Sequence, residues 1–284
     1  MKQIKLCAFA DESSASLLGQ INALTKNNIP YLEVRGINGK NVANFTVEES
    51  KEYNKQLKDN GISVWSIGSP IGKVDISVDF NEYKNTVKRV CETANIFECD
   101  KIRMFSFFHA ENERLKVMDY LSQMVEIGNE FGVKMCHENE KDIYGDVAER
   151  VLDIKNTVKG LSFIYDPANY LQCGEPAQKT LELFHSSTEY FHIKDVISAT
   201  GELVPAGYGD GNIAKLIDMI EGNKVLTLEP HLAVFEGYSS IDNSQMKNKF
   251  CYASNEEAFD SAVSALKNLL VKAGYSEIGR EFVK

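Results

Sequence analysis

Eight short apolar runs, rich in β-branched and aromatic residues, alternate along the chain with longer stretches of helical spacing. The runs fall at residues 4–9, 31–34, 63–67, 101–105, 133–137, 161–165, 190–193 and 225–228. Runs of this length and composition read as buried strands, and the stretches between them as amphipathic helices. Thr46 with Glu49 forms a capping box, and Gly61 stands where that helix should stop. Tyr83, Val87, Val90, Ala94 and Phe97 keep the helical period, as do Leu115, Met118, Leu121 and Val125. Pro176 suits a first helical turn, and Ser254 with Glu257 makes a second capping box. Eight strand–helix alternations in 284 residues predict an α/β fold, a single (β/α)8 barrel in one domain spanning residues 1–284. A doubly wound open sheet is the competing arrangement, but no GxGxxG turn follows the first strand. No Pro/Gly/Ser-rich linker divides the chain. One irregular segment, residues 230–253, follows the eighth strand. Loops of that length are commonly functional or disordered, and this one, with Phe235, Tyr238 and Phe250, reads as a lid or as a disordered or oligomer-contacting loop.

Charge and cysteine usage narrow the function classes. The formal net charge of −10 repels a phosphate backbone, which argues against nucleic acid as a partner. None of the six cysteines forms a CxxC pair, and several lie in apolar runs, as reduced cysteines do in a cytoplasmic protein. The N-terminus turns acidic before any signal-length apolar stretch, and no run approaches the ~20 apolar residues of a membrane span. The expectation is a cytoplasmic protein with no membrane contact; a homo-oligomer is left open.

In a (β/α)8 barrel, chemistry sits at the C-terminal ends of the strands. Four successive runs end in VKMCHE, LSFIYD, EYFHI and VLTLE, which places Glu138, Asp166, His192 and Glu229 at that rim. A lone carboxylate there is costly to desolvate. Four converging ligands with a divalent cation among them remove most of that cost. Singly, each residue has a plainer reading. Glu138 could pair with Lys134 or Lys194, Asp166 before Pro167 could start a turn, and His192 could be a satisfied core histidine. Around the quartet lie further candidates for substrate contact. Lys194 and His231 each follow a quartet member by two residues and so share its side of the strand. Lys194 could equally pair with Asp195 or Glu229. Glu33 and Arg35 end the second strand and read first as an ion pair, with substrate contact as the alternative. His109 lies on the loop after the fourth strand, and Trp65 faces either the barrel interior or the outer helices.

The segments CHENE (136–140), DPANY (166–170), HIKD (192–195), PAGYGDG (205–211) and LEPH (228–231) carry a resemblance. Together, and across essentially the whole chain, they resemble the sugar phosphate isomerase/epimerase group of the xylose-isomerase-like TIM barrels. The order Glu, Asp, His, Glu, at spacings of 28, 26 and 37 residues, is its most specific part. The resemblance implies one divalent ion, Mn2+, Mg2+ or Co2+ with Zn2+ a further option, held by Glu138, Asp166, His192 and Glu229. It also implies that Glu138 and Glu229 are catalytic and shuttle protons. Two positions depart from the ketose 3-epimerases of the group. Asn169, a candidate substrate contact, stands where they often have a histidine, and Ser198 where they tend to carry an arginine. Endonuclease IV shares the fold but uses more histidines as ligands than a chain with five in all readily supplies.

The implied activity is isomerisation or epimerisation of a sugar or sugar phosphate, by proton transfer through a metal-stabilised enediolate. An inosose-type dehydratase on the same site, or a non-catalytic metal- and carbohydrate-binding barrel, are the alternatives. The glycine-rich PAGYGDG stretch could approach a substrate phosphate or simply turn the chain.

Overall fold

The computed structural model describes residues 2–233 and 250–284. Eight parallel strands form its centre: β1 (Gln3–Ala8), β2 (Tyr31–Val34), β3 (Ser63–Ile67), β4 (Lys101–Met104), β5 (Lys134–Glu138), β6 (Ser162–Tyr165), β7 (Tyr190–Ile193) and β8 (Asn223–Leu228). Each pairs with the next in sequence, and β8 pairs with β1 over six positions from Gln3↔Asn223 to Ala8↔Leu228. The sheet therefore closes on itself, with helices between the strands, and the fold is the TIM barrel that the alternation predicts. The bounds of β2, β3 and β7 agree with the sequence reading, and the other five differ by one or two residues at an end.

Two apolar cores hold this arrangement. The larger lies between the sheet and its outer helices. The smaller fills the barrel itself with Cys7, Cys136, Ile164, Tyr190 and Val225, against which Tyr31 and Trp65 pack. Trp65 thus faces inward, beside residues that begin their strands, and is no wall for a ligand at the opposite rim. The Lys101 ammonium stands 4.1 Å over its ring.

Local signals formed as their chemistry requires. Both halves of the Thr46–Glu49 capping box are present at the start of the helix Val47–Asp59. At the helix Asn255–Lys272, Ser254 accepts from Glu257 N–H, but the Glu257 carboxylate reaches Ala253 N–H instead of the Ser254 amide. Pro176 is the residue before the helix Ala177–Phe184, and Pro167 opens the short helix Pro167–Gln172.

Three features had no sequence signal. A hairpin of Ser276–Ile278 and Glu281–Val283 pairs antiparallel with the start of β1, which β2 leaves uncovered because it meets only Cys7 and Ala8. A second hairpin, Asp195–Ile197 with Glu202–Val204, follows β7. The β2–β3 register skips Trp65, so that Glu33 stands opposite Ser66.

Among the described residues no helix is long and apolar enough to cross a membrane. Their cysteines are all free, and Cys7, Cys91, Cys99 and Cys136 are buried. Most of the candidate lid, Phe235 and Tyr238 included, lies outside the described residues.

Candidate metal centre

Strands β5 to β8 end side by side, and their last turns of backbone bring Glu138, Asp166, His192 and Glu229 together. All four are buried, and one ligand atom from each lies within 4.8 Å of the other three. Asp166 shows how one carboxylate fills two roles. Its Oδ1 accepts Asn169 N–H at 3.0 Å and caps the helix Pro167–Gln172. Its Oδ2 is left to face the quartet, 2.9 Å from Lys194 Nζ. The turn reading and the ligand reading of this residue are therefore compatible. Asn139 fixes the backbone here, donating to Asp166 O and accepting Asp166 N–H, both at 2.9 Å.

His192 Nδ1 lies 2.8 Å from Glu138 Oε1 and 3.2 Å from Glu229 Oε2. Burial pushes its imidazole down, but Glu138, Glu33 and Glu229 outweigh that and raise it well above the usual range. Burial pushes Glu229 up, yet Lys194 and His192 hold its carboxyl well below the carboxylate norm. Asp166 goes the other way, raised to about 7 by burial despite Lys194, with Glu138 and Glu229 adding repulsion. Lys194 and Arg103 already place positive charge against these crowded acids.

The quartet passes a test for a divalent ion. Asp166 Oδ2 and Glu229 Oε2 are fully buried and neither is held by an aligned hydrogen bond. Three oxygens and one imidazole nitrogen form a donor set for a hard or borderline divalent ion. The group could hold a metal.

Two arginines complete the mouth. Arg103, from β4, places one nitrogen, Nη1, 3.2 Å from Glu138 Oε2 and 3.3 Å from Glu229 Oε1. Arg35 grips Asp11 with two nitrogens at 2.8 and 3.0 Å and reaches Glu229 Oε1 at 3.1 Å. The expected Glu33–Arg35 pair does not form. Arg35 points to the β1 loop, and Glu33, wholly buried, bonds to Tyr190 and His192. Arg103 lies two residues after Lys101 in the fourth apolar run of the sequence. Its alternation with Lys101, which packs on Trp65 in the interior, was the available signal.

The remaining candidates separate by position. Lys194 pairs with Asp166 and stands 3.7 Å from Glu229, not with Asp195. His231 sits over the same acids: its N–H donates to Glu12 Oε2 at 2.7 Å, and Nε2 is 3.7 Å from Glu229 Oε1. Asn169 spends its amide N–H on Asn139 O at 2.9 Å. His109 lies apart, 82% exposed, bonded to Asp75. Lys134, once a candidate partner for Glu138, pairs with Glu189 instead.

The PAGYGDG stretch resolves clearly. The N–H groups of Gly207, Gly209 and Gly211 donate to the Asp195 carboxylate at 2.8, 3.1 and 2.8 Å, and Val196 N–H adds a fourth bond. A Cβ on Gly209 would lie 2.4 Å from Asp195 Oδ1. The donors that could have met a substrate phosphate are occupied by an internal carboxylate.

Comparison with known proteins agrees with this architecture. The chain belongs to the xylose isomerase-like TIM barrel family, whose model matches residues 26–245. No curated protein sequence matches it. Among solved structures, it is similar to the IolI protein with a bound zinc atom, at 15% identity, covering 95% of this chain and 99% of that one, TM-score 0.72. A D-psicose 3-epimerase solved in the presence of D-fructose gives 15% identity, 95% and 99% coverage and a TM-score of 0.71. A probable 3-DHS dehydratase, AsbF from Bacillus anthracis, gives 16%, 94% and 99%, and 0.68. At these identities the likeness shows a shared fold.

Proposed function

We propose that the chain is a divalent-metal-dependent isomerase or epimerase of a small sugar or sugar phosphate. One observation carries the reading: two buried glutamates, Glu138 and Glu229, touch the same Arg103 nitrogen and belong to a four-residue group able to hold a metal. Glu138, Asp166, His192 and Glu229 would hold the ion, Mn2+, Mg2+, Co2+ or Zn2+. When bound, it supplies a Lewis acid that makes a C–H beside a carbonyl easier to deprotonate.

The protein's own groups do the rest. Glu138 ends β5, Glu229 follows β8, and their carboxylates converge on Arg103 Nη1. One takes a proton from the carbon next to the carbonyl, and the other returns one. Return to the opposite face inverts the centre, and return to the adjacent carbon shifts the carbonyl. Arg103 Nη1, 3.2 Å from Glu138 and 3.3 Å from Glu229, holds both carboxylates aimed at one point. Lys194 and His231, over the same oxygens, are placed to meet substrate hydroxyls. With the Asp195 clamp occupying the glycine loop, a sugar phosphate would need its anion site elsewhere. Dehydration is the second reading, since proton removal with loss of a β-hydroxyl uses the same residues, and a dehydratase shares this fold.

A panel of ketoses and aldoses, incubated with the chain and Mn2+ in D2O, tests the reading. Deuterium should enter the carbon beside the carbonyl, and E138Q or E229Q should slow that by about 10²–10⁴-fold. Water loss with an unsaturated product would select dehydration. Metal uptake with no exchange into any candidate would argue for the binding barrel.

A further inference from the structure

We propose that Glu33 is a positioning residue that fixes the tautomer and ring plane of His192, so that this imidazole offers Nδ1 to a metal. The inference rests on the metal reading above and adds which atom binds and what sets it.

The two nitrogens of His192 face different partners. Nδ1 faces Glu138 and Glu229, both members of the quartet. Nε2 points across the barrel to β2 and lies 3.2 Å from Glu33 Oε2. Neither residue has any exposed surface, so water does not complete either contact. With Nδ1 turned to the quartet and offered to a metal, the ring's one hydrogen belongs on Nε2, and the Glu33 oxygen 3.2 Å away is there to accept it.

Glu33 is itself held. Its Oε1 accepts the Tyr190 hydroxyl at 2.9 Å, and that hydroxyl is 2.9 Å from Ser66 Oγ. Tyr190 and His192 are two residues apart on β7 and so face the same way, which lets one strand meet both carboxylate oxygens. The register skip at Trp65 brings Ser66 level with Glu33. Phe9 meets the imidazole edge-on, at 5.3 Å and 82°, and limits rotation of the ring.

Arg103 feels the charge of this acid but makes no ion pair with it among the described residues. Among the described residues, the ion-pair partner of Glu33 is His192. Arg35, two residues along, is committed to Asp11, Glu12 and Glu229. A fully buried carboxylate with no guanidinium or ammonium against it is a cost to folding. Orienting a ligand histidine is the kind of task for which such a cost is kept, and removing a partner of this kind weakens metal binding by about 10–100-fold.

The test uses the full chain labelled with 15N-histidine and loaded with Zn2+, read by long-range 1H–15N correlation, with Zn2+ affinity measured by competition. The unaltered chain should show His192 with Nε2 protonated and Nδ1 shifted by the metal. E33A should lose about 10–100-fold in Zn2+ affinity and the fixed tautomer, while E33Q, which keeps an acceptor oxygen, should lose less. A purely structural role would lower the unfolding temperature of E33A yet leave the tautomer and the affinity unmoved, and would overturn the inference. So would coordination through Nε2 in the unaltered chain, a measurement that needs no variant to fold. Failure of the unaltered chain to take up Zn2+ would instead overturn the metal reading, and this inference with it.

Discussion

Arg103 Nη1 sits where two buried carboxylates would otherwise repel each other. Replacing it, as in R103M, leaves both with less compensation in the metal-free chain. Unfolding of the chelator-treated variant should show a loss of about 3–5 kcal/mol. Divalent metal should then bind more tightly, because a cation relieves what the guanidinium had relieved. Glu12 gives a pH prediction at the same scale. Burial pushes its carboxyl up to about 8, against the pull of Arg35 and with Glu229 and Asp11 adding repulsion. The folded chain therefore holds this proton over a range where the unfolded chain has released it. The stability linked to Glu12 is full below the ordinary carboxylate range and is lost as pH rises toward 8. In chelator-treated protein, E12Q should flatten that fall in a denaturant series across this window; an unchanged slope would contradict the assignment. The residue types of the quartet were legible because each acid or imidazole ended an apolar run, where a polar group needs a reason. Partner choice was not. Glu33 and Arg35 looked like a pair at two-residue spacing, but Asp11, from another loop, offers Arg35 a two-nitrogen grip that Glu33 does not.

The turn after β7 is the element on which the rim most depends. One carboxylate, Asp195, gathers N–H groups from Gly207, Gly209 and Gly211 and so ties the following loop to the strand that carries His192 and Lys194. D195N halves the acceptor capacity and should cost about 1–3 kcal/mol. Hydrogen exchange should speed up at those three glycine amides while the amides of β2 stay protected. Uniform exchange across the molecule would deny the clamp its local role. Elements of this kind escape sequence reading, because PAGYGDG carries turn residues whichever anion its amides meet. The barrel strands were legible, since burial on both faces demands continuous apolar runs. The C-terminal hairpin was not, because SEI and EFV are short and mixed, and Ser276–Ile278 is exposed throughout. Its pairing with β1 depends on how little of that strand β2 covers, which is a tertiary fact. Helix caps were readable because they are local: Thr46 and Glu49 need only each other and their own two amides.

At the scale of the molecule, closure of β8 onto β1 turns four residues spread over 92 positions into one buried group. The fold and the quartet's convergence follow from spacing that any eightfold alternation would produce. The identity of the sugar does not, because it depends on the hydroxyl pattern met by rim side chains from many loops. The central claim is that one divalent ion gathers Glu138, Asp166, His192 and Glu229. Crystals soaked in Mn2+, measured at the manganese absorption edge, test it most directly. The account predicts a single anomalous peak about 2.0–2.2 Å from one atom of each residue, Nδ1 in the case of His192. An ordered quartet with no peak, or a peak held by other residues, would contradict it.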